Sequence, residues 1–143
     1  MRITTQGDYA LRCMLNIAAK NNKGPVCISR ICREEGLPLD YIEQLLIKLR
    51  RKKLIKSTRG VKGGYVLGKD AFEITVKDVI EAVEGEAFEV ICSRVNNRKA
   101  RKCAANSECV LRDVWMGLKG EIERFLSSET IGSLLDKSGQ GSA

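Results

Sequence analysis

The sequence predicts a mainly α-helical fold that carries one small β-hairpin and has a long helix near its C-terminal end. Three observations support this prediction. Apolar residues recur every three or four positions in several segments, which is the spacing of one buried helix face. Short runs of strand-forming residues flank a glycine-rich turn in the middle of the chain, which indicates a hairpin. The apolar stripe within residues 110–126 is larger than a small domain needs for its own core.

The first half of the chain is predicted to contain three helices followed by the hairpin. Thr4 and Thr5 can cap the first helix, and Gly36-Leu37-Pro38 forms the turn between the second helix and the third. The glycines of the hairpin tip allow a tight turn. The predicted elements are helices at about 6–20, 29–35 and 39–52, strands at about 54–58 and 65–67, and a hairpin tip at 59–64.

The second half begins with a typical helix start. Thr75-Val76-Lys77-Asp78 has the form of a capping box, with Asp in place of the usual Glu or Gln. The sequence predicts a loop at residues 85–108 and a long helix at residues 110–126. The apolar stripe of that helix comprises Leu111, Val114, Trp115, Leu118, Ile122 and Phe125. We expect one unit at 1–69, a second unit with the loop and the long helix at 70–137, and a disordered tail at 138–143.

The order of helix, tight turn, helix and basic hairpin is that of a winged helix-turn-helix, which places its second helix in the major groove of double-stranded DNA. Residues 1–69 are therefore assigned to a DNA-binding domain. The apolar residues of the third helix share one face and are expected in the core: Ile42, Leu45, Leu46 and Leu49. On the opposite face, Gln44 can pair with adenine, and Asp40 or Glu43 can accept a hydrogen bond from cytosine.

Cations and one tyrosine around this face are expected to contact phosphate. The residues assigned to phosphate are Tyr41, Lys48, Arg51, Lys56 and Lys62. Arg59, at the hairpin tip, suits the narrow minor groove of A·T-rich DNA, where the negative potential is deepest. The competing interpretation is a generic amphipathic surface helix followed by an ordinary hairpin.

Charge is distributed unevenly along the chain. Residues 1–69 hold 15 Lys and Arg against 5 Asp and Glu, whereas residues 70–143 hold 10 against 13. A basic first half indicates a polyanionic partner for that half. RNA is the weaker candidate, because aromatic residues make up only 5% of the chain and a base-stacking platform needs them.

Several classes of protein are disfavoured by the sequence. The chain has no histidine, which removes the commonest general base, and it has no nucleotide-binding loop, so an enzyme is not expected. No stretch approaches the roughly 18 apolar residues of a membrane-spanning helix, and the first residues lack the apolar region of a signal peptide. We therefore expect a cytoplasmic protein with no membrane partner.

Three cysteines in the second half have the spacing Cys92-x10-Cys103-x5-Cys109. Five cations lie between the first two thiols: Arg94, Arg98, Lys99, Arg101 and Lys102. Cations lower the pKa of a thiol and offset the charge of a thiolate-bound metal centre, so the segment is a candidate metal site. The alternative is a basic surface loop with incidental thiols. The remaining cysteines, Cys13, Cys27 and Cys32, are interpreted as structural residues that behave as small buried hydrophobes.

Two further stretches carry a resemblance to a known family. They are Met1-Arg2-Ile3-Thr4-Thr5-Gln6-Gly7-Asp8-Tyr9-Ala10 and Tyr41 to Leu67, whose Arg59-Gly60-Val61-Lys62-Gly63-Gly64-Tyr65 is the most specific part. With the three cysteines, they resemble the Rrf-type winged helix-turn-helix transcriptional regulators, above all those that regulate iron–sulfur cluster assembly. The resemblance implies a homodimer on a palindromic promoter site, joined through the long C-terminal helix, and an iron–sulfur cluster held by Cys92, Cys103 and Cys109.

The fourth ligand of such a cluster is left open. Where some members of the family have a histidine, this chain has Arg112, which stays protonated and cannot bind metal. The resemblance to nitric-oxide-sensing relatives implies Asp8 from the partner subunit, with Glu108, water or a small thiol as alternatives. We expect a labile cluster, 2Fe–2S in preference to 4Fe–4S, in a repressor or an activator of transcription. The alternative is the same DNA-binding fold sensing nitric oxide, thiol oxidation or a partner protein of sulfur metabolism.

Overall fold

The computed structural model describes residues 4–90 and 109–140, without the side chain of Gln140. Helices dominate the described residues, and one antiparallel hairpin is inserted among them. The elements in chain order are α1 (Thr5–Ala19), a 3-10 turn (Asn21–Lys23), α2 (Ile28–Glu35), α3 (Leu39–Arg51), β1 (Ile55–Thr58), β2 (Gly64–Leu67), a second 3-10 turn (Ala71–Glu73), α4 (Val76–Glu84), α5 (Val110–Ser128) and α6 (Ile131–Gln140). The predicted mainly helical fold with a hairpin wing is confirmed, with most boundaries within two residues of the prediction.

The core lies where α1 meets α2, α3 and α4. The predicted inner face of α3 is fully buried, and it packs with the apolar face of α1, including Met14 and Ile17. Ile74, Val79 and Ile131 belong to the same cluster, although they lie beyond the predicted division at residues 69 and 70. A single hydrophobic core therefore includes residues from both predicted units.

The hairpin is joined to the rest of the domain by a third stretch of backbone. β1 and β2 pair antiparallel from Ile55 opposite Leu67 to Thr58 opposite Gly64. Val26 then pairs with Tyr65 on the outer side of β2, with N···O distances of 2.9 and 2.8 Å. A Cβ on Gly64 would lie 2.5 Å from the carbonyl oxygen of Val26, so this close approach requires glycine. The pairing fixes the hairpin to the segment that leads into α2.

The predicted capping box at the start of α4 is present. Thr75 Oγ1 accepts from the Asp78 amide, and Asp78 Oδ2 accepts from the Thr75 amide, each at 3.0 Å. The helix buries its predicted apolar face: Val76, Val79, Ile80 and Val83. α4 packs against α1, α3 and α5. Near its C-terminal end, Val83 O accepts a hydrogen bond from Lys48 of α3 at 3.3 Å.

The last helix, α6, was not predicted. Thr130 and Ser133 cap each other's amides at 2.9 and 3.0 Å, and Ile131 is buried and donates its amide to Ile74 O at 2.9 Å. The predicted disordered tail at 138–143 is wrong for residues 138–140, because the helix anchored at Ile131 continues to Gln140. Residues 141–143 lie outside the described part of the chain.

Within residues 4–90 and 109–140, none of the helices is both long and apolar enough to cross a membrane.

A polar cluster joins α1 to α2 beside the core. Asn16, only 9% exposed, donates to Glu34 at 2.8 Å and to Glu35 at 2.9 Å. Lys20 and Arg30 both form ion pairs with Glu34, and the distance from Arg30 Nε to Glu34 Oε1 is 2.9 Å. Hydrogen bonds from Lys20, Arg30 and Asn16 lower the pKa of Glu34 from 4.5 to about 2. The cluster therefore depends on an ionised carboxylate.

This cluster predicts an acid-dependent contribution to stability. Because the pKa of Glu34 is lower in the folded state, its contribution is complete above pH 4.5 and is lost as the pH falls toward 2. We expect Glu34→Gln to lower the free energy of unfolding at pH 7 and to reduce its pH dependence between 4.5 and 2. Urea unfolding at a series of pH values measures both effects, and the exposed Glu73→Gln is the control. An unchanged pH dependence in Glu34→Gln would contradict the role assigned to the cluster.

Candidate functional site

The helix-turn-helix exposes to solvent the face of α3 that is predicted to contact bases, here called the reading face: Asp40, Glu43 and Gln44. Gly36, in the left-handed region with φ 66°, ends α2, and Pro38 precedes the first residue of α3. Because the opposite face of α3 is buried, Asp40, Glu43 and Gln44 are exposed. Arg51 is exposed on the same side, one turn beyond the half-buried Ile47. The structure thus brings four of the predicted DNA-contacting residues onto one outward surface.

Two predicted phosphate contacts have partners inside the protein. The ring of Tyr41 is half-buried and packs edge-on against the ring of Tyr9, with centroids 5.7 Å apart. The ammonium of Lys48, also half-buried, donates to Val83 O at 3.3 Å. Both side chains lie on the flank of α3 that meets α1 and α4, so they differ in setting from the exposed residues of the reading face.

The hairpin tip, residues 59–64, forms an exposed basic wing. Gly60 adopts φ 111° and its carbonyl accepts from the Gly63 amide at 2.9 Å, which closes the turn. Arg59 and Lys62 are exposed on either side of this turn. In the part of the chain that the structure describes, neither cation forms an ion pair. The wing can therefore offer both charges to a polyanion.

A basic pocket lies between the end of α3 and the hairpin. It has a volume of about 500 Å³ and is lined by Arg50, Lys53, Ile55, Lys56, Ser57, Gly68 and Lys69. Arg50 donates to Ser57 Oγ at 3.4 Å across the gap between helix and strand. Lys56 is a predicted phosphate contact, whereas Lys69 is not. Lys69 reaches the same pocket only because β1 pairs with β2. The four cations extend the positive surface from the wing toward α3.

The cysteine segment is described only at its end. Cys92 and Cys103 lie outside the described residues, whereas Cys109 is half-buried and precedes the first turn of α5. The N-terminal end of a helix carries a partial positive charge. Arg112, in the first turn of α5, donates its amide to Cys109 O at 3.0 Å. Of the three predicted cluster ligands, the structure therefore places only Cys109, at the start of α5.

The candidate carboxylate ligands have different surroundings. Asp8 is exposed in the first turn of α1, where its Oδ2 lies 2.8 Å from Arg12 Nε. Asp113 is exposed in the first turn of α5, and Glu108 lies outside the described residues. Among the described residues, no three Cys, Asp or Glu side chains are grouped as a metal site would require. Asp8 is therefore accessible to a second subunit, but its carboxylate is paired within its own helix.

The other cysteines differ in burial. Cys13 is buried, and burial raises the pKa of its thiol to about 12, whereas Cys32 is half-buried. The interpretation of Cys27 as a buried structural residue is wrong, because its side chain is exposed. Its sulfur lies 3.3 Å from Ser29 Oγ, and this hydrogen bond lowers the pKa of the Cys27 thiol. No pattern in the sequence distinguishes Cys27 from the other cysteines. Its exposure depends on the pairing of the adjacent Val26 with Tyr65 of the hairpin.

The outer face of α5 is apolar and uncovered within the described chain. Trp115 is 41% exposed and Phe125 is 65% exposed. Leu111, Val114 and Leu118 are exposed on the same stripe, whereas Ile122 is half-buried. A continuous apolar stripe of this size on a helix surface marks an interaction face.

Known proteins with similar sequences are transcriptional regulators. Residues 3–137 match the model of the Rrf2 family, described as an iron-dependent transcriptional regulator. The chain is 39% identical over 136 residues to the HTH-type transcriptional regulator IscR of Photorhabdus laumondii, covering 95% of this chain and 80% of that protein. It is 36% identical to IscR of Escherichia coli K12, covering 95% of this chain and 81% of that protein.

Solved structures show the same relationship. T. potens IscR superimposes with a TM-score of 0.79 at 30% identity, over 100% of this chain and 92% of that one. CymR, the global cysteine regulator of B. subtilis, superimposes with a TM-score of 0.75 at 32% identity, over 96% of this chain and 98% of that one. From the extent of the family match and the identity to these regulators, the chain belongs to the Rrf2 family of DNA-binding transcriptional regulators, which are not enzymes.

Proposed function

We propose that this regulator binds a palindromic promoter site as a homodimer and regulates transcription, as a repressor or an activator, according to iron–sulfur cluster status. The observation that carries the sensing role is the half-buried Cys109 at the positive end of α5, where the cysteine segment with its five cations meets the helix with the uncovered apolar face. The relatives named IscR and the description of the family as iron-dependent support the same role. A cytoplasmic location accords with a regulator of DNA.

Sequence would be read by the exposed face of α3. Gln44 has the amide geometry that pairs with adenine, and Asp40 and Glu43 are acceptors for cytosine N4. Acidic groups near DNA are repelled by phosphate, so their place on this face is explained by base contacts. The exposed cations of Arg51, Lys56 and Lys62 would supply contacts to phosphate, while Arg59 would enter the minor groove.

Base readers and phosphate contacts should respond differently to substitution. We expect Gln44→Ala to reduce discrimination between a palindromic duplex selected by the protein from a random library and its scrambled counterpart by about 1–3 kcal/mol. Lys62→Ala is the matched comparison: it should weaken binding to both duplexes and reduce the salt slope by about one. Fluorescence anisotropy titrations at several salt concentrations measure both quantities. An equal loss on the two duplexes for Gln44→Ala would exclude base reading by this residue.

The homodimer would form through the apolar face of α5. Trp115 and Phe125 lie on one stripe of a 19-residue helix, and burying them against a second copy removes apolar area from water. A dimer with two-fold symmetry also places two recognition helices on two half-sites about one helical turn apart, which is the geometry that a palindromic site requires.

A charge on this face should separate the subunits. We expect Trp115→Glu to raise the dimer dissociation constant by at least about tenfold, or ~1.4 kcal/mol, because it places a carboxylate in an apolar interface. Val61→Glu is the control, since Val61 is fully exposed at the wing tip, away from α5. Analytical ultracentrifugation over a range of concentrations measures the dissociation constant. A dimer of unchanged strength in Trp115→Glu would assign the interface to another surface.

The cluster would be held by the thiolates of Cys92, Cys103 and Cys109, with Asp8 of the partner subunit as the fourth ligand. Thiolates are the usual ligands of such clusters, and a carboxylate is a harder and weaker donor to iron. The ion pair of Asp8 Oδ2 with Arg12 would compete with iron for the charge of this carboxylate, which would further weaken the fourth position. A labile 2Fe–2S cluster would supply the sensing chemistry, and the five cations between Cys92 and Cys103 in the sequence would offset its negative charge.

Substitution of the three cysteines tests this site. We expect the triple variant Cys92→Ala, Cys103→Ala, Cys109→Ala to lose the visible absorption of anaerobically prepared protein together with its iron and acid-labile sulfide. Cys13→Ala is the control, because Cys13 is buried in the core with a raised pKa. Absorption spectra and assays of iron and sulfide on the same samples measure the result. Full retention of iron in the triple variant would exclude these ligands.

A second candidate function keeps the DNA-binding fold and senses a signal other than cluster status. Nitric oxide, thiol oxidation and a partner protein of sulfur metabolism are the alternatives, and Cys27 favours thiol oxidation. Its thiol is exposed, has a lowered pKa and precedes α2 of the helix-turn-helix, so its oxidation would take place next to the DNA-binding surface. A wild-type protein that remains colourless after anaerobic reconstitution would support sensing by thiol oxidation or through a partner protein.

A further inference from the structure

Lys48 takes part in a hydrogen-bonded junction of three helices. Its ammonium donates to Val83 O at 3.3 Å, at the C-terminal end of α4. With the Gln6 amide oriented to suit its neighbours, the Gln6 oxygen accepts from Lys48 Nζ at 2.8 Å and the Gln6 nitrogen donates to Val83 O at 3.1 Å. One side chain from α1, one from α3 and one carbonyl of α4 thus form a closed triangle.

Burial of the partners and a neighbouring hydrogen bond support this junction between the helices. Lys48 and Gln6 are half-buried, and Val83 is buried. Next to them, the Gly7 amide donates to Glu84 Oε1 at 3.0 Å, which ties the first turn of α1 to the end of α4 a second time. Gly7 is itself buried, and a Cβ at this position would lie 3.2 Å from the same oxygen. The start of α1 and the end of α4 are therefore held closely together.

We infer that Lys48 is a positioning residue that sets the recognition helix α3 against α1 and the end of α4, and that it is not a phosphate contact. The inference rests on the proposed reading of DNA by α3 and specifies how that reading is controlled. Base contacts need side chains placed to within a fraction of an ångström, whereas phosphate contacts tolerate small shifts of the helix. Loosening the junction should therefore reduce sequence discrimination more than general affinity for DNA.

The position of the junction also relates the recognition helix to the cysteine segment. α4 ends at Glu84, one residue after the carbonyl that accepts from Lys48, and the chain then leads through residues 85–90 toward Cys92. A displacement of the end of α4 changes the acceptor of Lys48 directly. Lys48 would thus pass such a displacement to α3.

The test removes the junction from two sides. Lys48→Met keeps the aliphatic stem and removes the ammonium, and Gln6→Leu removes the other side-chain partner without changing charge. We expect each variant to lower the ratio of affinities for the selected and the scrambled duplex by about tenfold, with an unchanged salt slope. The double variant should be no worse than Lys48→Met, because both substitutions break one junction. Lys52→Met, an exposed cation one residue beyond α3, is the control and should leave the ratio unchanged.

A phosphate contact would give the opposite result. In that case Lys48→Met weakens binding to both duplexes equally and reduces the salt slope by about one, while Gln6→Leu has no effect, and the inference is overturned. Amide hydrogen exchange without DNA supplies a second readout: both variants should exchange faster at the end of α4 and along α3. Unchanged exchange also overturns the inference. This readout stands even if the wild type shows no discrimination between duplexes, which would instead contradict the proposed function.

Discussion

The burial of one face of α3 against α1 is the contact on which the rest of the structure depends. Ile42, Leu45, Leu46 and Leu49 are fully removed from water, and this burial determines which side of the helix faces outward. A rotation of α3 by one residue would expose part of this face and bury polar groups in exchange, at a cost of several kcal/mol. The exposed positions of Asp40, Glu43 and Gln44 follow from that constraint.

Electrostatics adds a second level of organisation. Cations of the first half are separated in sequence, but the hairpin brings Lys56 and Lys69 to one pocket with Arg50 and Lys53. The bridge between Val26 and Tyr65 holds this hairpin against the helix-turn-helix. Backbone pairing therefore determines the position of the positive surface beside α3.

The second half of the chain contributes to the core and leaves an apolar surface outside it. α4 and α6 pack on α1, and Ile131 is buried in the same cluster as the residues of α3. α5 packs on α4, and the stripe from Leu111 to Phe125 remains exposed. The recognition helix α3 and the candidate dimer helix α5 therefore both contact α4. A displacement of α4 would act on both helices.

The helices with a strong apolar period, the hairpin, the capping box of Thr75 and Asp78 and the outward residues of α3 are predictable from local sequence, because they depend on neighbours within a few positions. Four features emerge only on folding: the pairing of Val26 with Tyr65, the exposure of Cys27, the internal partners of Lys48 and the anchoring of α6 through Ile131. Each of these depends on contacts between residues distant in the chain. Local periodicity contains no information on which carbonyl or amide a distant segment will bring within hydrogen-bonding distance.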